Sequence, residues 1–423
     1  MNPPAQFTSL RPLIPGVYLP SLLFSVGIGA MTPMIAVSAV GLGADAAGAA
    51  LLVALVPVGQ IIADLPAGAL AARLGDRTAM IASSMVAMLA LAGCALAPNL
   101  AALALAVLLT GATNSVYGLA RQAHLTEVIA PMRRARAMSA LGGVARIGLF
   151  IGPFAGAALV HGGGPAASYW LGVATSLISA LVVWFVVPAE GKQRAGGGAP
   201  GGADGLAAAA GPVRPRTTML AVLRDYRAIF TTLGIAVLLV GAVRGARQTV
   251  LPLWTEQLGY EPATTSLVFG LAGGVDMLLF YPAGKVMDRL GRLWVAVPSM
   301  LVMAVAMVLL PLTEALPAVI TVALVLGIGN GMGSGILMTL GADTAPDHAR
   351  AQYLGIWRLL GDTGNAGGPL GVSLGAALGS LGGGIIAMGG VGVLAAGALA
   401  RWVPRWTDHA NARTRRRAGL TGH

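Results

Sequence analysis

Seven ionisable side chains interrupt otherwise apolar stretches of this chain: Asp64, Asp276, Asp362, Arg146, Arg244, Arg247 and Arg358. Asp64 ends LLVALVPVGQIIAD (51–64) and Asp276 lies inside VFGLAGGVDMLLF (268–280). A charge at the centre of an apolar layer costs about 3 kcal/mol or more, so each group must meet a partner or a wet cavity. Desolvation raises a carboxyl pKa and a nearby guanidinium lowers it. A carboxyl that alternates between those two settings takes up and releases a proton. Arg244 and Arg247, in GAVRGARQTV, are three residues apart and share a helix face. Such a pair suits the attraction of an anionic group; snorkelling and pairing with Glu256 are the plainer readings. Asn114, Tyr117, Asn330 and Trp357 are polar-tipped residues in the same kind of surroundings. They fit contact with a bound molecule or hydrogen bonds between packed helices.

Other chemistries find no support. There is no Gly-x-x-x-x-Gly-Lys-Ser/Thr phosphate loop, so no ATP drive within this chain is expected. The five histidines (124, 161, 348, 409 and 423) show no metal-ligand spacing, and no Ser-His-Asp set stands out. No enzyme reaction, metal or cofactor is expected.

Composition names the solvent of the elements that carry these residues. The chain has 423 residues, is 56% hydrophobic and only 10% charged, with a mean hydropathy of +0.78. A soluble domain carries about a quarter charged residues, so this chain belongs in lipid. Cys94 is the single cysteine, which excludes an internal disulfide. No cleavable leader is read in residues 1–13. A bilayer core is crossed by roughly 20 apolar residues in a helix. Twelve such runs are expected, at about 15–40, 47–71, 78–97, 100–120, 139–160, 167–187, 228–253, 264–286, 293–312, 317–340, 353–378 and 383–402. Between the sixth and seventh lies AGGGAPGGADG, a flexible composition. The expected organisation is an N-terminal six-helix bundle (1–187), a linker (188–227), a C-terminal six-helix bundle (228–403) and a basic tail (404–423).

Basic residues set the orientation. With the linker and both termini on one side, that side holds every Lys and Arg except the four at membrane depth, and the opposite loops hold none. The positive-inside rule makes the basic side cytoplasmic. The net charge of +11 is then a matter of topology and lipid contact, not of nucleic-acid binding.

The halves repeat. PAGALAARLGDR (66–77) is matched by PAGKVMDRLGR (282–292), an offset of 216 residues from Pro66 to Pro282. The same offset pairs Asn114 with Asn330, Arg134 with Arg350, and Gly148, Gly152 and Pro153 with Gly364, Gly368 and Pro369. Two halves of equal topology imply a parallel repeat about an axis along the membrane normal, with a site between them.

These features resemble the major facilitator superfamily over nearly the whole chain. The family's loop between helices 2 and 3, and again between 8 and 9, reads Gly-x-x-x-Asp-Arg-x-Gly-Arg. The second copy is intact in Gly284, Asp288, Arg289, Gly291 and Arg292. The first keeps Gly68, Arg73, Gly75 and Arg77, with Ala72 in place of the acid and Asp76 nearby. The resemblance implies a gating role for both loops; a plain basic turn is the alternative. GLFIGPFAG (148–156) resembles the antiporter motif through Gly148, Gly152, Pro153 and Gly156, and points to the drug:proton antiporter branch; close helix packing is the alternative. That branch's Arg within helix 4, ahead of a Gln-Gly pair, is missing.

The resemblance also sets helix 5 beside helix 8 and helix 2 beside helix 11. Two pairs across the halves follow as expectations, Arg146 with Asp276 and Asp64 with Arg358. Asp362 serves as an alternative partner or proton carrier, and static bridging without a proton role remains open. The expected whole is an all-α membrane protein of twelve spans. It is a monomer of the bacterial inner membrane that moves a small organic compound or drug outward against protons. Importer, facilitator and non-transporting sensor or scaffold stand as alternatives.

Overall fold

The structure is a computed structural model. It describes residues 11–129, 134–188, 219–333, 335–346 and 349–418, with the side chains at 65, 67–73 (the Gly68 and Arg73 positions among them), 135, 351 and 415 outside that set. Twelve long helices form the body: α1 (Leu19–Gly41), α2 (Ala46–Leu74), α3 (Asp76–Ala95), α4 (Leu100–Val128), α5 (Arg134–Gly163), α6 (Ala166–Val186), α7 (Leu233–Gln257), α8 (Pro262–Leu290), α9 (Leu293–Leu309), α10 (Leu316–Gly333, carried on by Ile336–Thr344), α11 (Arg350–Leu378) and α12 (Leu381–Trp406). Only helices satisfy their own backbone in lipid. Eleven described helices are long and apolar enough to cross a bilayer. The twelfth, α11, has the length at 29 residues, but Arg350, Arg358, Asp362 and Asn365 make it too polar to count.

Local chemistry fixes the ends. Asn99 and Ser380 accept hydrogen bonds from Ala102 N and Gly383 N, capping α4 and α12. Gly75 and Gly291, one repeat apart, turn the chain at φ 82° and 111°, a backbone region that side chains other than glycine disfavour. Two boundaries differ from expectation. The last part of the predicted linker is helical, at Met219–Asp225 and Arg227–Phe230, because Val222, Ile229 and Phe230 are buried and Phe230 packs on Tyr353 at 5.0 Å. The predicted tail begins inside α12, and Ala412–Arg417 forms a further helical turn capped by Asn411. Residues 189–218 of the predicted linker lie outside the described set.

Both halves pack alike. α1 lies on α5 and α6, α2 on α4, and α3 on α4 and α6; six helices on, α7 lies on α11 and α12, α8 on α10, and α9 on α10 and α12. The register is kept at the level of atoms. A Cβ on Gly111 would strike the carbonyl of Val56, and one on Gly327 that of Ala272. A Cβ on Gly152 would meet Val26 O and Ala30 N, and one on Gly368 meets Ala242 O and Ala246 N. Every partner is shifted by the 216 residues read from the sequence. Close approach of this kind is how helices associate where lipid gives no hydrophobic drive.

The halves meet along α2·α11 and α5·α8, with α1 packed on α7. α1 and α7 share one buried cluster, which from their later halves includes Met31, Met34, Ile35, Val250 and Leu251. Ser373 Oγ donates to Ala47 O at 2.8 Å across the same end. That end is sealed. Among the described residues α4 and α10 share no extended packing, and Gly118, Gly142 and Gly143 have open space where a Cβ would sit. The gap between the halves therefore opens toward the end that carries Arg11 and Asn411.

Substituting Gly111→Val should lower stability by about 1–3 kcal/mol through overpacking against α2, whereas Gly118→Ala should leave it unchanged or slightly raised. Thermal unfolding of the two variants in detergent measures the difference.

Candidate functional site: a cationic cavity between the halves

A cavity of about 490 Å³ lies between the halves, within the size range of small-molecule sites. α1 supplies Gly29 and Thr32, and α5 supplies Gly142, Ala145, Arg146, Leu149 and Phe150. From the other half come Arg244, Arg247 and Gln248 of α7, Phe269, Gly273, Asp276 and Met277 of α8, Asn330 of α10 and Asn365 of α11. The helices can come this close because glycine notches receive aromatic rings. Phe150 fills the space beside Gly274, and Phe154 that beside Gly270, so α5 and α8 interlock across the boundary.

Three guanidiniums surround one carboxylate. Arg146 Nη1 stands 3.9 Å from Asp276 Oδ1, and Arg247 Nη1 3.8 Å from Asp276 Oδ2. Asn330 Nδ2 donates to Asp276 Oδ2 at 2.5 Å, while Arg244 Nε donates to Asn330 Oδ1 at 3.2 Å. Arg146 also lies over the Phe280 ring, 4.0 Å from its centroid. Arg247 is 7% exposed. Its Nε and Nη2 are buried with no hydrogen-bond partner among the described residues. Three positive charges against one negative leave the cavity walls with two in excess.

A second cluster sits where α2 meets α11. Arg358 Nη2 is 3.4 Å from Asp64 Oδ1, and its Nε is 3.3 Å from Asp362 Oδ2, one turn along α11. Ser115 of α4 donates a hydrogen bond to Asp64. Two carboxylates share one guanidinium, an excess of one negative charge. Of the Arg358 side chain, 53% is exposed, so the cluster is wet. The structure brings together both expected pairs, Arg146 with Asp276 and Asp64 with Arg358. It adds Arg247 and Asn330 to the first and Ser115 to the second.

Residues 19–369 match the model of the Major Facilitator Superfamily. The chain belongs to that superfamily. It is 22% identical over 323 residues to the uncharacterized MFS-type transporter YhjO of Bacillus subtilis, covering 76% of this chain and 75% of that one. It is 28% identical over 164 residues to the multidrug resistance protein MdtH of Klebsiella pneumoniae, 38% of each chain. The crystal structure of the D323A mutant of the nucleoside transporter NupG superposes with a TM-score of 0.70 at 13% identity, covering 92% of this chain and 99% of that one, a likeness of fold alone. As a superfamily member this chain is a multi-pass membrane transporter and not an enzyme.

Several residues singled out in the sequence lie elsewhere. Tyr117 does not line the cavity: it is 1% exposed, stacks on Phe24 at 4.1 Å and bonds Ser179 inside the first half. Trp357 is 4% exposed and donates to Leu337 O at 2.8 Å, a helix-packing role. Asn114 is absent from the cavity wall, unlike its repeat mate Asn330. Gly148, Gly152 and Gly156 face α1 and α6, against Leu22, Val26, Ala30 and Ser168, and Pro153 is buried within α5. Arg247 turns to Asp276 rather than Glu256. Sequence reading missed Gln248 and Asn365. Asn365 was detectable: it stands three residues after Asp362 in the most polar span.

The two loops differ. Arg292 Nη1 is 3.0 Å from Asp288 Oδ1 and its Nε is 3.0 Å from Asp343 Oδ2 of α10. Arg292 N donates to His409 O, and Thr407 Oγ1 donates to Asp343 Oδ2 at 3.4 Å, so the chain after α12 joins the node. Gly284 heads the last turns of α8 with open space beside it, and Arg289 lies in the final turn. Burial alone would lower the Arg292 guanidinium, but Asp343 and Asp288 outweigh it and hold its pKa above the ordinary value. A raised basic group stabilises at every pH below its unfolded value and loses that only far into the alkaline range. In the first half, where Ala72 replaces the acid, Arg77 instead donates to Trp184 O at 2.6 Å and lies over the Trp184 ring.

Arg292→Ala leaves the Asp343 carboxylate, 14% exposed, without its guanidinium. Removing one partner of a buried pair costs about 3–5 kcal/mol. Arg77→Ala, at a more exposed contact, should cost about 1 kcal/mol. Thermal unfolding of the pair tests that ranking.

Proposed function

We propose that this transporter is a secondary active exporter that moves a small organic compound outward in exchange for protons, using the Asp64–Arg358–Asp362 cluster as the proton carrier. The observation that carries the reading is the opposed sign of the two bridges. At α5·α8 the first half gives the cation and the second the anion; at α2·α11 the first half gives the anion and the second the cation. Rocking one half against the other breaks both, and each released carboxylate must then find water or a proton. With two acids on one guanidinium, proton uptake by either Asp64 or Asp362 makes the second cluster neutral. Proton binding is therefore favoured when the halves part.

The outward direction is supported by the Gly148–Gly156 motif and by the partial match to MdtH, a multidrug resistance protein. The gap open at the basic end, which the positive-inside rule makes cytoplasmic, is where an exporter loads its cargo. Both termini on that side of a bacterial inner membrane, and a functional unit of one chain, complete the proposal.

Proteoliposomes with an internal pH dye test it. Proton movement opposite to substrate flux is the expected result. In Asp64→Asn/Asp362→Asn, proton movement should fall at least about tenfold, with gradient-free substrate exchange retained. Flux without proton movement in the unaltered protein would overturn the antiport reading in favour of a facilitator. Proton movement retained in the double variant would overturn the assignment of the carrier.

A further inference from the structure

Resting on the transporter reading but not on its proton step, we infer that the central cavity takes an organic anion. Arg244 and Arg247 would bind the acidic group, Phe150, Phe269 and Met277 would face its carbon body, and Asp276 would hold the guanidiniums while the cavity is empty. All six residues line the same cavity.

The inference follows from charge and from unmet hydrogen bonds. Arg247 is nine-tenths buried, yet only its Nη1 has a partner, a carboxylate oxygen at 3.8 Å, beyond hydrogen-bond range. Nε and Nη2 remain unmatched, and a buried donor without an acceptor is costly. A planar guanidinium offers paired donors that suit carboxylate, sulfonate or phosphate oxygens. Arg244 stands near enough to Arg146 and Arg247 to be repelled by both. Such crowding of like charge is relieved by an anion and worsened by a cation. Asp276 relieves only part of it, and its Oδ1 makes no hydrogen bond. Its grip is thus loose enough for an incoming anion to compete. Asn330, bonded to both Arg244 and Asp276, keeps the two apart and the cluster in order. The facing titratable groups from every helix of the wall are Arg146 of α5, Arg244 and Arg247 of α7 and Asp276 of α8; α1, α10 and α11 bring only neutral residues. The single anionic group that the wall offers a cation is the Asp276 carboxylate, which Arg146 and Arg247 already approach.

Matched probes isolate the charge. The full-length protein in detergent would be titrated with 2-naphthoate, 2-naphthalenesulfonate and 2-naphthyl phosphate, with the neutral 2-naphthamide and the cationic 2-naphthylmethylamine alongside. The readout is saturable thermal stabilisation. At least one anion should stabilise and neither the amide nor the amine should match it. Arg247→Gln should weaken the anion's apparent affinity at least about tenfold, and Arg247→Lys should recover part of it. Asp276→Asn should tighten anion binding several-fold by freeing the guanidiniums, a gain that a structural role would not produce. Each variant is first checked for a monodisperse elution profile. Saturable stabilisation by the amine but by no anion, no saturable shift with any of the three anions, or an Asp276→Asn variant that loses anion affinity would each overturn the inference. Because the assay has no membrane and no gradient, anion binding with a silent pH dye removes the antiport reading and leaves this site standing. Proton-coupled flux of a cation does the reverse.

Discussion

Charge at membrane depth has to be met across a boundary that must also come apart. Asp276 of α8 faces Arg146 from the other half and Arg247 from its own. If Asp276 were paired only within its half, separation of the halves would be electrically silent. If it were paired only across, separation would leave a bare carboxylate in a low-dielectric gap, at a cost of several kcal/mol. Having one partner on each side lets the acid exchange one contact for another. The α2·α11 cluster solves the same problem in mirror form, with Arg358 held by Asp64 across the boundary and by Asp362 one turn away. The cavity, the sealed end and the open end are arranged around these two exchangeable nodes.

The rest of the framework supplies rigid bodies for that exchange. Within each half, backbones touch at glycines whose absent side chains leave carbonyl oxygens of the neighbouring helix in their place, as at Gly111 on Val56 and Gly327 on Ala272. Such contacts leave little slack, which suits each half to act as a rigid unit. Between the halves, around the cavity and the α2·α11 seam, the contacts are of another kind, rings in notches and ion pairs. The difference in contact chemistry assigns rigidity to the bundles and motion to the seam.

The two copies of the repeat have diverged where charge is concerned and stayed alike where packing is concerned. Glycine positions hold register through both halves, while Arg146 and Asp362 occupy equivalent places with opposite sign, and Arg244 and Arg247 have apolar mates, Ile28 and Met31, in α1. Packing must be conserved between copies to give two bundles of one shape. Charge must differ if the cavity between them is to have a sign. The loop pair shows the same split: an acid-centred node at Asp288, Arg292 and Asp343, against Arg77 on the Trp184 carbonyl.

Much of this was legible in the chain itself. Hydropathy gave the spans because lipid leaves a helix no alternative, and identical offsets at Pro66, Asn114, Arg134 and Gly148 revealed the repeat. Seven charges in apolar runs marked the residues that matter because nothing else tolerates them there. Which of those charges share a cavity was beyond the one-dimensional pattern. Tyr117 and Asn330 look equally eligible in sequence, yet one stacks on Phe24 and the other bridges Arg244 to Asp276, because the rotation of a helix about its axis is set by its neighbours. The charge balance of the cavity likewise depends on three helices brought together: α7 brings Arg244 and Arg247, α5 adds Arg146 and α8 adds Asp276. Lipid as solvent let the sequence determine the helices and their repeat; the packing of glycine faces decided which side chains look inward, and so what the inside can hold.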